Sequence, residues 1–320
     1  MRIILKGRGV EVLAPKLRSE GNHVVVGVPN LSTKLGASTA VKLHNPDMVA
    51  GEIGESGLSR SFSDLNIDIW GTSPWGDRAR IDADYWEQLL TLANTDTINF
   101  GEVQDSVDPR IDLECGAVWR GDSFHYHHIV LVERGFMDGG VGANSVAGCL
   151  LVPVSSRSLL MELSINRLKS LLKKGLYKGP VWMGDKPLIG FDLMRTASLL
   201  EVLKGNTDDA LFGKVVDTRF ETAVAVHISV PPFPTTPKPG SPEVEVPTTP
   251  EALKHMWLYN KPRDGNLGFL TARGKDIREA KRRVYRGVKR VRVDDLQYRG
   301  DIGELSSKVL QQLKNLKLLG

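Results

Sequence analysis

Cysteine is almost absent: the 320 residues contain two, Cys115 and Cys149. Two thiols cannot build a disulfide framework, and neither lies in a C-x-x-C or similar spacing, so both read as ordinary buried thiols and no metal site is expected. Long apolar runs are also missing. Nothing approaches the roughly 18 residues that span a bilayer, and the opening Met1-Arg-Ile-Ile-Leu-Lys6 meets charge and then glycine too soon for a signal peptide. These absences exclude a membrane partner and point to a cytoplasmic protein. A net charge of +4 is slight for the length, so the average says little about partners and the distribution must be read instead. What is present is 41% hydrophobic content, enough for two or three packed domains.

The chain opens with an apolar strand, Arg2-Ile-Ile-Leu5, then Lys-Gly-Arg-Gly9, a helical spacing of apolar residues from Val10 to Arg18, and a second strand, His23-Val-Val-Val-Gly27. In this β-turn-α-β unit, glycines 7 and 9 allow close backbone approach to a ligand at a helix N-terminus, although such a turn also serves simply to close an α/β unit. Two further strands are expected at Asp47–Gly51 and Ile67–Ser73, and a helix with an acidic first turn at Asp82–Leu90. The middle changes character. Strands are expected at Leu113–Trp119 and His128–Val132 around a turn at Gly121-Asp122, followed by the glycine-rich segment Asp138–Gly148, a helix at Ser156–Lys174, and apolar stretches at Gly179–Met183 and Lys186–Asp192. Residues Pro231 to Pro250 hold eight prolines without periodicity and read as an extended loop. The expected architecture is α/β and α+β, in three parts: an N-terminal Rossmann-like domain over 1–95, a central domain over 96–215, and a β-rich C-terminal domain over 216–320 that carries the proline-rich loop.

The helix beginning at Asp276 concentrates charge. Between Lys275 and Arg292 stand nine Lys or Arg against Asp276 and Glu279 alone, while Ile277, Ala280, Val284 and Val288 form the apolar stripe. Such a face either solubilises the protein or contacts the phosphates of a nucleic acid, each neutralised phosphate releasing counterion. Arg282, Arg283, Arg286, Lys289 and Arg290 are the candidate DNA-binding residues.

Around and within this helix, Gly268-Phe-Leu-Thr-Ala-Arg-Gly-Lys275, Glu279-Ala-Lys-Arg-Arg-Val-Tyr285 and Tyr298-Arg-Gly-Asp-Ile-Gly303 occur in an order and spacing that resemble the closing domain of glycinamide ribonucleotide synthetase, the phosphoribosylamine-glycine ligase of the ATP-grasp superfamily. The whole chain resembles a shortened member of that family. Gly142-Ala-Asn-Ser-Val-Ala-Gly148, after Asp138-Gly, is similar to the family loop that helps seat glycine and phosphoribosylamine, and Gly7-Arg-Gly9-Val-Glu11 is similar to its first Gly-rich turn. The resemblance therefore implies substrate binding by Gly7, Gly9, Glu11, Asp138, Gly142, Asn144, Ser145, Tyr298, Arg299 and Asp301, and a reduced ATP-grasp-like architecture with a degenerate central domain.

The chain departs from the family in three places. Only about 25 residues separate the helix ending near Ala93 from Glu114, too few for the ATP-clamping lobe. The family's Leu-Glu-Phe-Asn, which supplies magnesium ligands, is matched by Ile189-Gly-Phe-Asp192, and its Asp-His-Lys-Arg is lost around Val130–Arg134. The resemblance thus implies an enzyme that needs neither ATP nor magnesium and receives its acceptor already activated. An amine must be neutral to attack, so a base is required; Glu114, His128 and Asp192 are the catalytic candidates, with His127 beside them. With the cationic helix, this combination resembles the amino acid:DNA transferases of bacteriophages with hypermodified thymine, which join an amino acid, often glycine, to a pyrophosphorylated hydroxymethyluracil. The implied partners are DNA carrying an activated base and glycine or another small amino acid, in the cytoplasm of a host cell. Two rivals stand beside it, an ATP-dependent glycine ligase of purine synthesis and a non-catalytic nucleotide- or DNA-binding module.

Overall fold

The structure is a computed structural model that describes residues 1–7, 11, 13–52, 61, 65, 68–72, 78–80, 107–119, 124–155, 157–160, 179–183, 222–247, 255–259 and 262–319. Its described elements are mixed α/β, arranged on one largely parallel and one antiparallel sheet.

The first sheet is built from β1 (Arg2–Lys6), β2 (His23–Val26), β3 (Met48–Glu52), β4 (Asp68–Thr72) and β5 (Arg78–Arg80), in the order β2-β1-β3-β4-β5. All neighbours are parallel except the β4–β5 pair at the edge. Ile3, Ile4 and Leu5 are fully buried, as expected of a strand covered on both faces. Two helices connect these strands. Helix α1 (Ala14–Ser19) begins with a proline in its first turn, where the missing N–H costs nothing. Helix α2 (Lys34–His44) starts at Thr33, whose Oγ1 accepts from the Gly36 N–H at 3.1 Å, and ends at Asn45 in the left-handed conformation. The strand order reverses between β1 and β3, so the crevice outside their carboxyl ends, at Gly7 and Gly51, is the switch point of this sheet.

The second sheet runs β11-β12-β10-β8-β7-β6-β9, from β6 (Ile111–Trp119), β7 (Phe124–Arg134), β8 (Val146–Pro153), β9 (Gly179–Met183), β10 (Thr222–Ser229), β11 (Met256–Leu258) and β12 (Asn266–Gly274). Every pair is antiparallel. On one face Ile129, Leu131, Leu150, Val224 and Val226 pack beneath two helices, α3 (Ile277–Val288) and α4 (Glu304–Asn315). On the other, Val130, Val132, Cys149, Leu151, Ala223 and Ala225 form one core with Ile3, Leu5, Leu17 and Met48 of the first sheet and its helix. The sheet is thus sandwiched between the N-terminal α/β layer and the C-terminal helix pair.

Several expectations meet the structure directly. Strands occur at Arg2–Lys6, His23–Val26, Met48–Glu52, Asp68–Thr72, Ile111–Trp119 and Phe124–Arg134, while 231–247 carry turns and no regular element. Strands β5, β8, β10 and β11 were not among the expected elements. Part of the glycine-rich segment expected as a loop is strand β8, and β10 fills a stretch for which no element was expected. The division expected at 215/216 falls within this sheet, because β10 pairs with β8 from Ala223↔Leu151 to Val226↔Gly148. The helix at Asp82–Leu90, the turn at Gly121-Asp122, most of Ser156–Lys174 and the segment Lys186–Asp192 lie outside the described residues.

Candidate nucleic-acid and substrate site

Helix α3 forms as its sequence dictates. The Asp276 side chain accepts from the Glu279 N–H at 2.7 Å, and Glu279 reaches back to accept from the Lys275 N–H at 2.9 Å. That backbone bond, then Arg283, holds the Glu279 carboxyl below its ordinary value. Ala280, Val284 and Val288 are buried against β12 and β10, with Ile277 packed at the rim of the same core. The cations occupy the opposite side. Arg278, Arg282, Arg286 and Lys289 follow at steps of three or four residues and share one exposed face, with Arg290 next to it. Arg283 is differently placed: it is ion-paired to Glu279 at 2.6 Å and donates to the Arg273 carbonyl at 3.2 Å. Lys281 is similarly held by Glu304 at 3.3 Å. Of the five candidate DNA-binding residues, four therefore stand on the open face and Arg283 is committed elsewhere, while Arg278 joins them.

The glycine-rich segment leaves the end of β7 as a tight loop. Gly139, Gly140 and Gly142 have φ of 77°, 70° and 84°, which a Cβ would strain. Gly148 serves packing instead, because a Cβ there would meet the Ala225 carbonyl oxygen at 2.5 Å and the Ile302 side chain at 2.8 Å. Asp138, Gly142 and Asn144 are exposed on the loop. Ser145 turns its Oγ inward, where it meets no hydrogen-bond partner among the described residues.

Residues 298–303 join this loop to α3. Glu133, fully buried at the end of β7, accepts at Oε1 from the Gly303 N–H (2.8 Å), the Ser306 N–H (3.1 Å) and the Ser306 hydroxyl (2.6 Å), placing a carboxylate at the N-terminus of α4. Its Oε2 pairs with Arg299 at 3.0 Å. Arg299 also donates to the Arg134 carbonyl at 3.1 Å and to Asp301 at 2.8 Å. Asp301 in turn accepts from the Gly139 N–H, and Asp138 from the Gly300 N–H, each at 2.7 Å. Burial works to raise the Asp301 carboxyl, but the Arg299 and Gly139 donors outweigh it and hold the group below the ordinary aspartate value. On the helix side, the Tyr285 hydroxyl donates to the Arg299 carbonyl and accepts from the Ile302 N–H, both at 2.9 Å, and burial pushes its ionisation well up. Arg299, expected to bind substrate, is 2% exposed and fully engaged by protein groups. It shapes the loop instead of presenting itself to a ligand, and Asp301 is likewise occupied at both oxygens.

The catalytic candidates sit elsewhere on the sheet. Glu114 lies opposite Val130, and His128 opposite Gly116, so the two share the face turned to the N-terminal layer, where both are buried. At about 3.3 Å per residue, Val130 and His128 stand about 13 Å and about 20 Å along β7 from Arg134, where the loop departs. The structure brings Glu114 and His128 together but not to the glycine-rich loop. Asp192 lies outside the described residues. At the first turn, Gly7 has φ 105° and its carbonyl accepts from the Glu11 N–H at 2.9 Å; Gly9 is outside the described residues.

Two features went unnoticed in the sequence. A pocket of about 440 Å³ opens between the end of β2 and α2, lined in part by Gly27, Asn30, Thr33, Gly36, Thr39 and His44. A cluster of rings ties the proline-rich segment to the sheet: His227 bonds Asn266 at 2.8 Å and contacts Phe269 and Phe233, and Phe233 contacts Phe136 beside the glycine-rich loop. The isolated spacing of these rings in the chain gave no signal of their meeting. No helix among the described residues is long and apolar enough to cross a membrane.

No protein-family model and no curated protein matches the chain. Among solved structures it is similar to a phosphoribosylamine-glycine ligase from Thermotoga maritima, at 16% identity over 94% of this chain and 100% of that one, with a TM-score of 0.48. It is also similar to an N5-carboxyaminoimidazole ribonucleotide synthetase from Thermus thermophilus, at 11% identity over 90% of this chain and 98% of that one, with a TM-score of 0.42. Both likenesses are remote.

Proposed function

We propose that the chain is an amino acid transferase acting on DNA, which joins the amine of glycine or a similar small amino acid to a base already carrying a pyrophosphate group, without ATP or magnesium. The observation that carries this reading is the coupling of α3 to the glycine-rich loop. Through Tyr285, Arg299, Asp301 and Asp138, a helix whose outer face can hold phosphates is tied by hydrogen bonds to a loop resembling an amino-acid seat. In the reaction a C–N bond forms, the C–O bond to pyrophosphate breaks, and the amine proton passes to a base. Pyrophosphate departs as an anion, which nearby cations stabilise, while the loop positions the amine for attack. Asp138, Gly142 and Asn144, exposed on the loop, are assigned to the amino acid, with Ser145 behind them, and Arg282, Arg286, Lys289 and Arg290 to the DNA. Glu114 and His128 stand too far along β7 from the loop to take the amine proton, so the base is assigned to neither.

The test is incorporation of labelled glycine into DNA containing pyrophosphorylated hydroxymethyluracil, with and without ATP. Equal incorporation in both arms is expected. Absence of incorporation with correctly activated DNA removes the transferase, and strict ATP dependence replaces it with a ligase. A second reading, a DNA-binding module without chemistry, is favoured by the distance of Glu114 and His128 from the loop. DNA binding without incorporation would establish it.

A further inference from the structure

Tyr298 is 40% exposed, one of the few large rings the described surface leaves open. It stands at the junction of the two halves of the site. Its ring contacts Tyr285 on α3, with centroids 6.4 Å apart and planes inclined by 44°. Arg282 and Lys289, three residues before and four after Tyr285, are neighbours on the helix surface of the residue on which Tyr298 leans. On its other side the chain continues into Arg299 and Gly300, the latter bonded to Asp138 on the glycine-rich loop. An exposed ring therefore lies on the chain path between the cationic helix and the loop.

Its backbone is not free to swing away. Gln297, the preceding residue, exchanges backbone hydrogen bonds with Ser229 at 2.7 and 3.0 Å, and Arg299, the following one, is locked in the buried ion pair with Glu133. Tyr285, on which the ring leans, is itself held by two hydrogen bonds. This is a rigid platform with a wet face, and the helix residue it leans on is flanked by Arg282 and Lys289, which form no ion pair among the described residues. A duplex buries its base faces in the stack and offers such a ring nothing, whereas an unpaired strand offers a base to stack on it and phosphates to its neighbours.

We infer that α3 and Tyr298 together bind single-stranded DNA, with one base stacked on Tyr298 and the flanking phosphates on Arg282, Arg286 and Lys289. The inference rests on the DNA reading above and narrows it: the acceptor base is reached unpaired, in a strand already open or opened on binding. Tyr298 acts as a positioning residue that fixes the register of the strand.

Fluorescence anisotropy with one labelled oligonucleotide, single-stranded and as its duplex, tests this on the full chain at one salt concentration. The unmodified protein is expected to prefer the single strand. Tyr298→Ala weakens single-strand binding about ten-fold, within the range for loss of one stacked base, while Tyr298→Phe retains it and duplex binding hardly changes. Equal or tighter binding of the duplex overturns the inference, as does an equal loss for both forms in Tyr298→Ala, but both results leave the DNA reading standing. Binding of neither form overturns both. A single-stranded RNA of the same sequence bound more tightly than the DNA also overturns it, in favour of RNA. Circular dichroism of each variant shows that it is folded.

Discussion

At the scale of single residues, the best-determined feature is the buried pair of Glu133 and Arg299. Two charges in the interior hold together only because their remaining hydrogen-bonding capacity is also filled, here by Gly303, Ser306, Arg134 and Asp301. Arg299→Leu removes the cation and leaves the Glu133 side chain without its partner in a closed space, with a cost of about 3–5 kcal/mol. Urea unfolding should report that loss, and combining Arg299→Leu with Glu133→Gln should recover part of it. A loss under about 1 kcal/mol, the size of an exposed pair, contradicts the assignment. The sequence marked Arg299 and Asp301 as functional but could not mark Glu133, which lies 166 residues from Arg299 and directly follows the apolar run Ile129–Val132. An arginine in a recognisable motif reads as a ligand contact until its partner is found, and only the fold brings the partner in.

At the scale of elements, legibility follows periodicity. Helix α3 was readable from end to end because a side-chain cap, a stripe at three- and four-residue spacing and a charged face all agreed. Strands β8 and β10 were not, because both are buried on two faces and show no alternation of apolar and polar residues. Small residues in β8 also imitated a loop, although Gly148 is small to admit Ile302. The same helix carries a prediction about charge. Arg282 and Arg286 stand one turn apart on the open face, free of the ion pairs that hold Lys281 and Arg283. If each meets one phosphate, replacing both by Glu weakens DNA binding and lowers the slope of log affinity against log salt by about 1.8, at about 0.9 per phosphate of a duplex and somewhat less for a single strand. Affinities measured over a range of salt concentrations give that slope. An unchanged slope would return the face to a solubilising role, and Arg283→Glu should change it less than either open-face residue.

At the scale of the whole molecule, the second sheet decides what can fold by itself. A reading by composition divides the chain before 216, where the proline-rich and basic segments lie ahead, yet β10 lies between β8 and β12 and is bonded to both. Val224, Val226 and Ile228 of β10 share a core with Ile129, Leu131 and Leu150 from the preceding part. The buried Glu133 carboxylate adds a polar link between the same two parts, since Arg299 and the N-terminus of α4 both depend on it. A fragment of residues 216–320 would expose one edge and one apolar face of β10, and would leave Arg299 buried without its carboxylate. It is therefore expected to lack a cooperative urea transition and to show poorly dispersed amide proton resonances, while the full chain shows both a transition and dispersion. A folded fragment would mean that the C-terminal helices carry enough core of their own and that the boundary read from composition is real. An unfolded one would mean that the cationic helix and the glycine-rich loop are held in register by the sheet itself, which is what a site spanning both requires.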